Sequence, residues 1–180
     1  MTAKAHKKTI TRPIVGKPSP PLEVNALGGG VWKLGEQRPG HYTMVVFYRG
    51  SHCPICQQYI TDLDRKLDVF VRLGVSAIAI SGDTEERAKH FQEKGHLQQV
   101  TIGYGLPPEV MCRWGLYLSR RHFEDEPTLF CEPALFLVKP DTCLYFANIG
   151  THPFSRVSFD FLQQGLEYII PRNYPFRGTE

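Results

Sequence analysis

Two cysteines separated by two residues are the feature of this 180-residue sequence best suited to chemistry. Cys53 and Cys56 form the segment Cys-Pro-Ile-Cys, and three further cysteines stand alone along the chain. Two cysteines three positions apart at the start of a helix can reach disulfide distance with little strain. One sulfur can attack a substrate and the other can resolve the mixed disulfide. The spacing therefore predicts a reversible dithiol–disulfide pair.

The residues around the pair predict its position between a strand and a helix. The apolar run Thr43–Tyr48 predicts a strand buried on both faces, and a helix is predicted from about Cys53 to Leu73. Pro54 suits the first helical position, because the N–H that proline lacks would be unpaired there. The unpaired N–H groups and the positive end of the helix dipole should then lower the pKa of a nearby thiol.

Neighbouring residues can change the pKa of these thiols, and a zinc site is an alternative to redox chemistry for the pair. We expect Arg49 and His52 to lower the thiol pKa further if they approach, although His52 could equally be a loop histidine facing water. A lone C-x-x-C can also be half of a zinc site, but the sequence offers no second half. The three remaining cysteines are interpreted as small core residues: Cys112, Cys131 and Cys143. We therefore expect redox chemistry with no metal and no cofactor.

The rest of the chain predicts an α/β fold. Val75–Ile80 is a second buried strand, and Asp83 with Glu86 resembles a capping box that opens a helix ending near Lys94. The glycines at 28–30 indicate a turn between short strands. Further predicted elements are a strand at Thr101–Tyr104, a helix at Pro108–Trp114, a hairpin of Ala134–Val138 and Cys143–Asn148, and a helix at Phe159–Ile170. Alternation followed by a hairpin favours a mixed central sheet flanked by helices.

Composition bounds the domain organisation and the partners. Hydrophobic residues make up 42% and charged residues 22%, enough for one buried core, which we place at residues 21–180. Residues 1–20 are predicted to be a flexible basic arm, a solvated tail without nucleic-acid motifs. No apolar run approaches the ~18–20 residues of a membrane span, and no secretory signal is visible. We expect a cytoplasmic protein with no nucleic-acid or membrane partner.

The segment Phe47–Cys56, which reads Phe-Tyr-Arg-Gly-Ser-His-Cys-Pro-Ile-Cys, resembles the thioredoxin-fold superfamily and specifically its peroxiredoxin-like branch, the alkyl hydroperoxide reductase/thiol-specific antioxidant family. The resemblance extends over roughly Pro20 to Ile170. It implies a thioredoxin-like fold and an antioxidant oxidoreductase acting on peroxides or protein disulfides. It further implies an electron donor of the thioredoxin or glutathione type, and a homodimer.

The sequence departs from the peroxiredoxin motif Pro-x-x-x-Thr-x-x-Cys. Aligned on the final cysteine, Cys56 falls on the peroxidatic cysteine, Cys53 on the threonine and Arg49 on the proline. An alignment on the Cys-Pro dipeptide makes Cys53 peroxidatic instead. Thioredoxin precedent also makes Cys53 the exposed attacking residue, with Cys56 resolving. Both assignments stay open, as does a non-catalytic redox sensor or partner-binding domain that uses the same pair.

A proline downstream is the last candidate site residue. The segment 132–138 resembles the start of a core strand where thioredoxins place a cis-proline beside the dithiol and many peroxiredoxins place a catalytic arginine. Pro133 matches the thioredoxin pattern, although a proline that simply begins a strand has the same appearance. Arg120 or Arg121 could replace the missing arginine. The predicted catalytic set is thus Cys53, Cys56, Pro133, His52 and Arg49.

Overall fold

The computed structural model describes residues 12–179, which form a mixed sheet with helices on both faces. The strands are β1 (Glu23–Ala26), β2 (Val31–Lys33), β3 (Tyr42–Phe47), β4 (Val75–Ile80), β5 (Thr101–Tyr104), β6 (Leu118–Arg120), β7 (Leu129–Cys131), β8 (Ala134–Val138) and β9 (Leu144–Ile149). The helices are α1 (Pro54–Arg72), α2 (Glu85–Lys94), α3 (Pro108–Arg113) and α4 (Phe159–Ile169). Seven strands form the main sheet in the order β2-β1-β5-β4-β3-β8-β9, and β6 pairs with β7 separately.

The centre of the sheet is parallel and its two sides are antiparallel. Strand β3 is parallel to β4, and β4 is parallel to β5, whereas β8 runs antiparallel to both β3 and β9. Side chains alternate along β3. Met44 and Val46 pack in the core layer that includes α1, α2 and α4, and Val45 and Phe47 pack in the layer that includes α3. The predicted mixed α/β architecture, with β3 buried on both faces, is confirmed.

Helix α1 begins where the sequence predicts. Cys53 is the N-cap residue and Pro54 takes the first helical position. The helix buries one apolar stripe, and the chain then turns at Gly74, whose φ is +71°. A left-handed φ is readily accessible only to glycine, so Gly74 separates α1 from β4 sharply.

Two details of the prediction are wrong. Helix α2 is capped by Thr84, whose side-chain oxygen accepts a hydrogen bond from the Arg87 N–H at 3.4 Å, and not by Asp83. The Asp83 carboxylate points instead toward the loop before α1, where it accepts from the Ser51 N–H at 2.7 Å. The β6–β7 pair was not predicted, because strands of three residues carry too short a pattern to recognise.

The predicted N-terminal arm falls only partly within the described residues. Residues 1–11 lie outside them. Further along, the Gly16 N–H donates to the Leu144 carbonyl at 2.8 Å and the Ser19 N–H donates to the Thr142 carbonyl at 2.9 Å. This end of the segment is therefore attached to the β8–β9 hairpin. The domain boundary after Pro20 stays a prediction. Among the described residues no helix is both long and apolar enough to cross a membrane.

Candidate functional site

The two cysteines of the predicted pair meet at the first turn of α1. The Cys53 sulfur accepts a hydrogen bond from the Cys56 N–H at 3.2 Å, so it occupies the acceptor position of a helix N-cap. The Cys53 N–H in turn donates to the Gly50 carbonyl at 3.1 Å, which fixes the loop that leads into the helix. Both cysteines are present as free thiols. The predicted placement of the sulfurs at the positive end of a helix is what the structure shows.

The pKa values of the two thiols are shifted in opposite directions. Hydrogen bonding from the Cys56 side chain and N–H lowers the pKa of Cys53 to about 6, against the cost of burial and with help from Arg156 and Arg49. Burial raises the pKa of Cys56 well above its ordinary value, and the hydrogen bond that its thiol donates to Cys53 raises this pKa further. At neutral pH the negative charge therefore lies on Cys53 and the proton on Cys56.

An arginine from the other end of the chain completes the pair. The Arg156 Nη2 atom donates to the Cys56 sulfur at 2.9 Å. Its guanidinium carbon lies 4.7 Å from the centre of the Tyr59 ring, and this cation–π contact attaches the side chain to α1. A fixed cation at this distance stabilises negative charge on Cys56 whenever that thiol loses its proton.

Strand register explains why Arg156 arrives here. Phe47 at the end of β3 pairs with Ala134 at the start of β8, and Ala134 pairs with Ile149 at the end of β9. The hairpin thus returns the chain to the end of β3, after which α1 begins. The loop that carries Arg156 follows directly. Arg156 was not predicted, because the candidate arginines were those nearest Pro133 along the chain, and Arg156 reaches the cysteines only through the pairing of β3, β8 and β9.

The arginines that we expected nearby have other roles. Arg121 donates through Nε to the Glu126 carbonyl at 2.7 Å, and Arg120 is exposed on β6. Neither makes a hydrogen bond to a cysteine sulfur within the described part of the chain. The expectation that one of them supplies the missing arginine is therefore wrong.

Arg49 links the loop before α1 to two buried carboxylates. Its Nη2 lies 3.4 Å from Glu126 Oε1, and its Nε lies 3.4 Å from Glu132 Oε2. The guanidinium carbon is 4.8 Å from the centre of the Phe130 ring. Glu132 also accepts from the Ser119 hydroxyl at 2.6 Å. These contacts join the dithiol loop to the β6–β7 hairpin, and the positive charge contributes to the low pKa of Cys53.

His52 packs on an aromatic ring and makes no hydrogen bond to a sulfur. Its ring centroid lies 4.7 Å from that of Phe130. Both ring nitrogens are buried without a hydrogen-bond partner among residues 12–179. Burial and the neighbouring Arg49 lower the pKa of His52, so its ring is neutral at pH 7. A catalytic part for His52 stays a prediction.

Gly50 and Asp83 form the other side of the loop. Gly50 has a φ of +136°, and a Cβ atom at this position would lie 2.8 Å from Asp83 Oδ1. The buried Asp83 carboxylate accepts from the Ser51 N–H and pairs with Arg87 Nε at 3.0 Å. The carboxylate therefore holds the loop through its backbone, and this requires a glycine next to it.

Pro133 lies close to the site, but it is not a cis-proline. It lines a narrow cleft together with Tyr59 and Arg156. No cis peptide bond occurs in residues 12–179, so the resemblance to a thioredoxin cis-proline is wrong. The proline immediately precedes β8, and its carbonyl accepts from the Gly150 N–H at 2.9 Å. It thereby holds the end of β9 and the loop that carries Arg156.

Neither sulfur is open to solvent. Cys53 is 2% exposed and Cys56 is fully buried, which corrects the expectation that Cys53 is an exposed attacking residue. The exposed residues of this turn are Pro54 and Ile55, between the two cysteines. Cys131 lies behind the site with its thiol donating to the Tyr48 carbonyl at 3.4 Å, and burial raises its pKa to about 12. Cys131 is therefore a protonated core residue, as predicted.

A metal site is the alternative chemistry for the pair. Among residues 12–179, no three side chains of the His, Cys, Asp and Glu types converge on one point that could hold a metal ion. The donors around Cys53 and Cys56 are backbone N–H groups and arginines, which suit a thiolate.

Comparison with known proteins places this site in a family. The model of the AhpC/TSA family matches residues 15–147. No curated protein sequence matches the chain. Reduced 2-Cys peroxiredoxin from Plasmodium vivax has 18% identity and a TM-score of 0.74, covering 89% of this chain and 84% of that one.

Further solved structures have the same fold. A peroxiredoxin-like protein from Aquifex aeolicus has 14% identity and a TM-score of 0.70, with 87% and 88% of the two chains covered. Peroxidoxin BcpB from Mycobacterium tuberculosis has 16% identity and a TM-score of 0.69, with 87% and 97% covered. The predicted thioredoxin-like fold of the peroxiredoxin type is confirmed.

Proposed function

This chain belongs to the AhpC/TSA family, and on that premise we propose that it is a thiol-dependent antioxidant oxidoreductase that cycles Cys53 and Cys56 between dithiol and disulfide. The observation that carries the proposal is the hydrogen-bonded pair itself. Cys53 accepts from the Cys56 N–H at 3.2 Å, while Arg156 donates to the Cys56 sulfur at 2.9 Å. One thiolate is thus ready to attack, and a second thiol lies beside it with a cation that can stabilise its charge.

The low exposure of both sulfurs favours a peroxide over a protein disulfide as the oxidant. A protein disulfide has to bring two bulky segments against the attacking sulfur, and Cys53 is only 2% exposed. A peroxide of a few atoms needs a much smaller opening of the loop. Burial also excludes water from the reacting atoms, which strengthens the interaction of the thiolate with nearby cations.

The reaction follows from the two acidities. The Cys53 thiolate attacks the terminal peroxide oxygen, the O–O bond breaks, and the departing oxygen takes up a proton to leave as an alcohol or water. Cys53 is then a sulfenic acid. The Cys56 thiol attacks the Cys53 sulfur and loses its proton, and the hydroxyl group leaves as water. Arg156 stabilises the charge on Cys56 as the disulfide forms.

A donor with one dithiol, or two molecules of a monothiol donor, has to return the pair to its reduced form. We propose a thioredoxin- or glutathione-type donor, whose thiolate attacks the disulfide and whose own thiols become oxidised. Access to the buried sulfurs then requires the loop at 49–53 to open. The donor thiolate bonds to the Cys53 sulfur, the Cys53–Cys56 bond breaks, and Cys56 leaves as a thiolate. Arg156 stabilises this thiolate, which offsets the low acidity of Cys56. A homodimer is a further proposal, and its support is the family.

Turnover measurements separate peroxide reduction from the alternatives. Reduced protein is mixed with hydrogen peroxide or with a protein disulfide in the presence of a thioredoxin-type donor, and consumption of the donor is followed. We expect sustained turnover with peroxide and less than a tenth of that rate with the protein disulfide. Oxidation of the pair once, without turnover on either substrate, would point to a redox sensor and contradict the enzyme proposal.

A further inference from the structure

A groove of about 880 Å³ runs along α4 and has Arg156 in its wall. Apolar side chains from β9, α4 and the segments around them make up most of its wall, among them Phe146, Val157, Phe161, Leu162 and Ile169. A volume of this size lies within the range of about 300–1,000 Å³ that is typical of small-molecule sites. Neither Cys53 nor Cys56 lines this groove.

The charged residues of the groove are all positive. Arg156 and Arg177 line it, and no acidic side chain does so in the described part of the chain. A ligand that complements both features has a long apolar part and one negative group. A neutral apolar molecule would leave the arginines without a counter-charge, and a cation would be repelled.

The end of the groove nearest the dithiol is the better place for the negative group. Arg156 has a buried Nη1 without a hydrogen-bond partner among residues 12–179. Ser158, the N-cap of α4, also lines the groove, so the positive end of this helix lies beside Arg156. Asp160, in the first turn, does not line the groove and pairs with Lys66 at 2.9 Å.

Arg177 is less suited to hold the negative group. Its Nη2 donates to the Tyr174 hydroxyl at 3.1 Å, and its guanidinium carbon lies 5.0 Å from the centre of that ring. The side chain is exposed, so an ion pair there would gain little.

A glycine in the middle of α4 leaves the groove open. Gly165 lines it, and a Cβ atom added there would meet nothing within 4 Å. Glycine inside a helix destabilises it by about 0.5–1 kcal/mol relative to alanine, and here no close contact requires the absence of a side chain. A longer side chain at 165 would occupy the space along the helix without disturbing the core.

We propose that the groove binds a free long-chain monocarboxylate, with its carboxylate at Arg156 and its apolar chain along α4. Because Arg156 also donates to the Cys56 sulfur, a bound carboxylate competes with that sulfur for the same guanidinium. The ligand thereby couples occupancy of the groove to the charge available to the dithiol. This coupling depends on the proposed function, but binding in the groove does not.

Calorimetric titration with dodecanoate below its micellar concentration tests the proposal. We expect one dodecanoate per reduced chain and at least tenfold weaker binding of dodecan-1-ol, which has the same chain length without the charge. Gly165→Leu fills the groove and should weaken dodecanoate binding at least tenfold. The matched control Gly165→Ala should bind as the unaltered protein does. Arg156→Gln should weaken dodecanoate binding but leave dodecan-1-ol binding unchanged.

Several results would overturn the proposal. They are an absence of dodecanoate binding, equal affinity for the alcohol, or unchanged binding in Gly165→Leu. A dimer in sedimentation equilibrium that Gly165→Leu dissociates would show that a second copy covers the groove, and would overturn it as well. The double variant Cys53→Ser/Cys56→Ser should bind dodecanoate normally. Failure of the redox function and failure of the groove are therefore measured separately.

Discussion

Arg156 Nη2 lies 2.9 Å from the sulfur of Cys56, although the two residues are 100 positions apart in the chain. The Cys53 sulfur, on the other side of the pair, accepts the Cys56 N–H at the start of α1. Cys56 therefore lies between a thiolate that accepts a hydrogen bond from its thiol and a cation that can stabilise the negative charge on Cys56 once this thiol has lost its proton. In the proposed reaction, this arrangement gives the two sulfurs different tasks.

Serine variants should separate those tasks. Cys56→Ser should keep one rapid equivalent of peroxide consumption and lose turnover, because Cys53 can still be oxidised but not resolved. Cys53→Ser should lose that first rapid equivalent. Stopped-flow measurement of peroxide consumption with a sulfenic-acid trap gives both numbers.

Cys143→Ser is the matched control for these variants, because Cys143 lies at the turn of the β8–β9 hairpin and should leave all rates unchanged. The opposite pattern, with the rapid equivalent lost only in Cys56→Ser, would assign the first attack to Cys56. Full turnover in both variants would contradict a cycling pair.

The pH dependence of Cys53 alkylation should reflect its lowered pKa. With a pKa of about 6, the thiol is protonated below pH 6 and is a thiolate above it. The rate of reaction with limiting iodoacetamide should therefore rise through pH 6 and level off by pH 7. An ordinary cysteine with a pKa of about 8.5 would continue to gain rate through pH 8. Mass mapping of the alkylated peptide assigns the rate to Cys53.

Cys53 in protein unfolded by urea provides the comparison, because there it should have the ordinary cysteine pKa of about 8.5 and its alkylation rate should keep rising above pH 7. If Cys53 in the folded protein follows the same rising curve, its thiolate is not stabilised at the helix start.

Removal of the arginine charge should slow the cycle. Hydrogen bonds to charged groups contribute about 1.5–3 kcal/mol, so Arg156→Gln should reduce turnover roughly 10- to 100-fold. The turnover of Arg156→Lys should lie between that of Arg156→Gln and that of the unaltered protein, since lysine keeps the charge and loses the planar geometry. The readout is peroxide turnover with the donor in excess, together with the rate of disulfide formation in a single cycle.

Arg172→Gln is a suitable control, because Arg172 is exposed and packs on Tyr168. Its turnover should match that of the unaltered protein. A normal rate of disulfide formation in Arg156→Gln would show that the contact with Cys56 has no part in the reaction.

Gly50→Ala should destabilise the protein through the loop before α1. The backbone has a φ of +136°, and the added Cβ would lie 2.8 Å from Asp83 Oδ1, so strain of about 1–3 kcal/mol adds to a steric clash. We expect Tm to fall by several degrees in thermal unfolding followed by circular dichroism. Turnover should also fall, because the carbonyl of this residue accepts from the Cys53 N–H.

Gly29→Ala separates the clash from the backbone strain. Gly29 has a φ of +103°, but a Cβ there would meet nothing within 4 Å. Its Tm should fall less than that of Gly50→Ala, and its turnover should not change. Equal losses of Tm in the two variants would mean that the contact with Asp83 does not matter.

The elements nearest the dithiol were predictable because their signals are local. The apolar run of β3, the proline at the first position of α1 and the spacing of Cys53 and Cys56 act over a few residues. Each of these signals determines the backbone conformation of its own segment. The hairpin of β8 and β9 was predictable on the same basis, since two β-rich runs joined by a short turn pair with each other. The predictions failed where the hydrogen-bond partner of a side chain lies far away along the chain. The Asp83 carboxylate, for example, accepts from the N–H of Ser51, 32 positions away.

The sequence by itself determined that two thiols share the start of a helix, because that depends on three consecutive peptide units and a proline. Tertiary structure decided which cation reaches them, since the register of β3, β8 and β9 brings Arg156 to Cys56. It also decided that both sulfurs are buried and that Arg49 pairs with Glu126 and Glu132. These properties depend on which distant surfaces pack together, and the spacing of residues along one chain does not encode them.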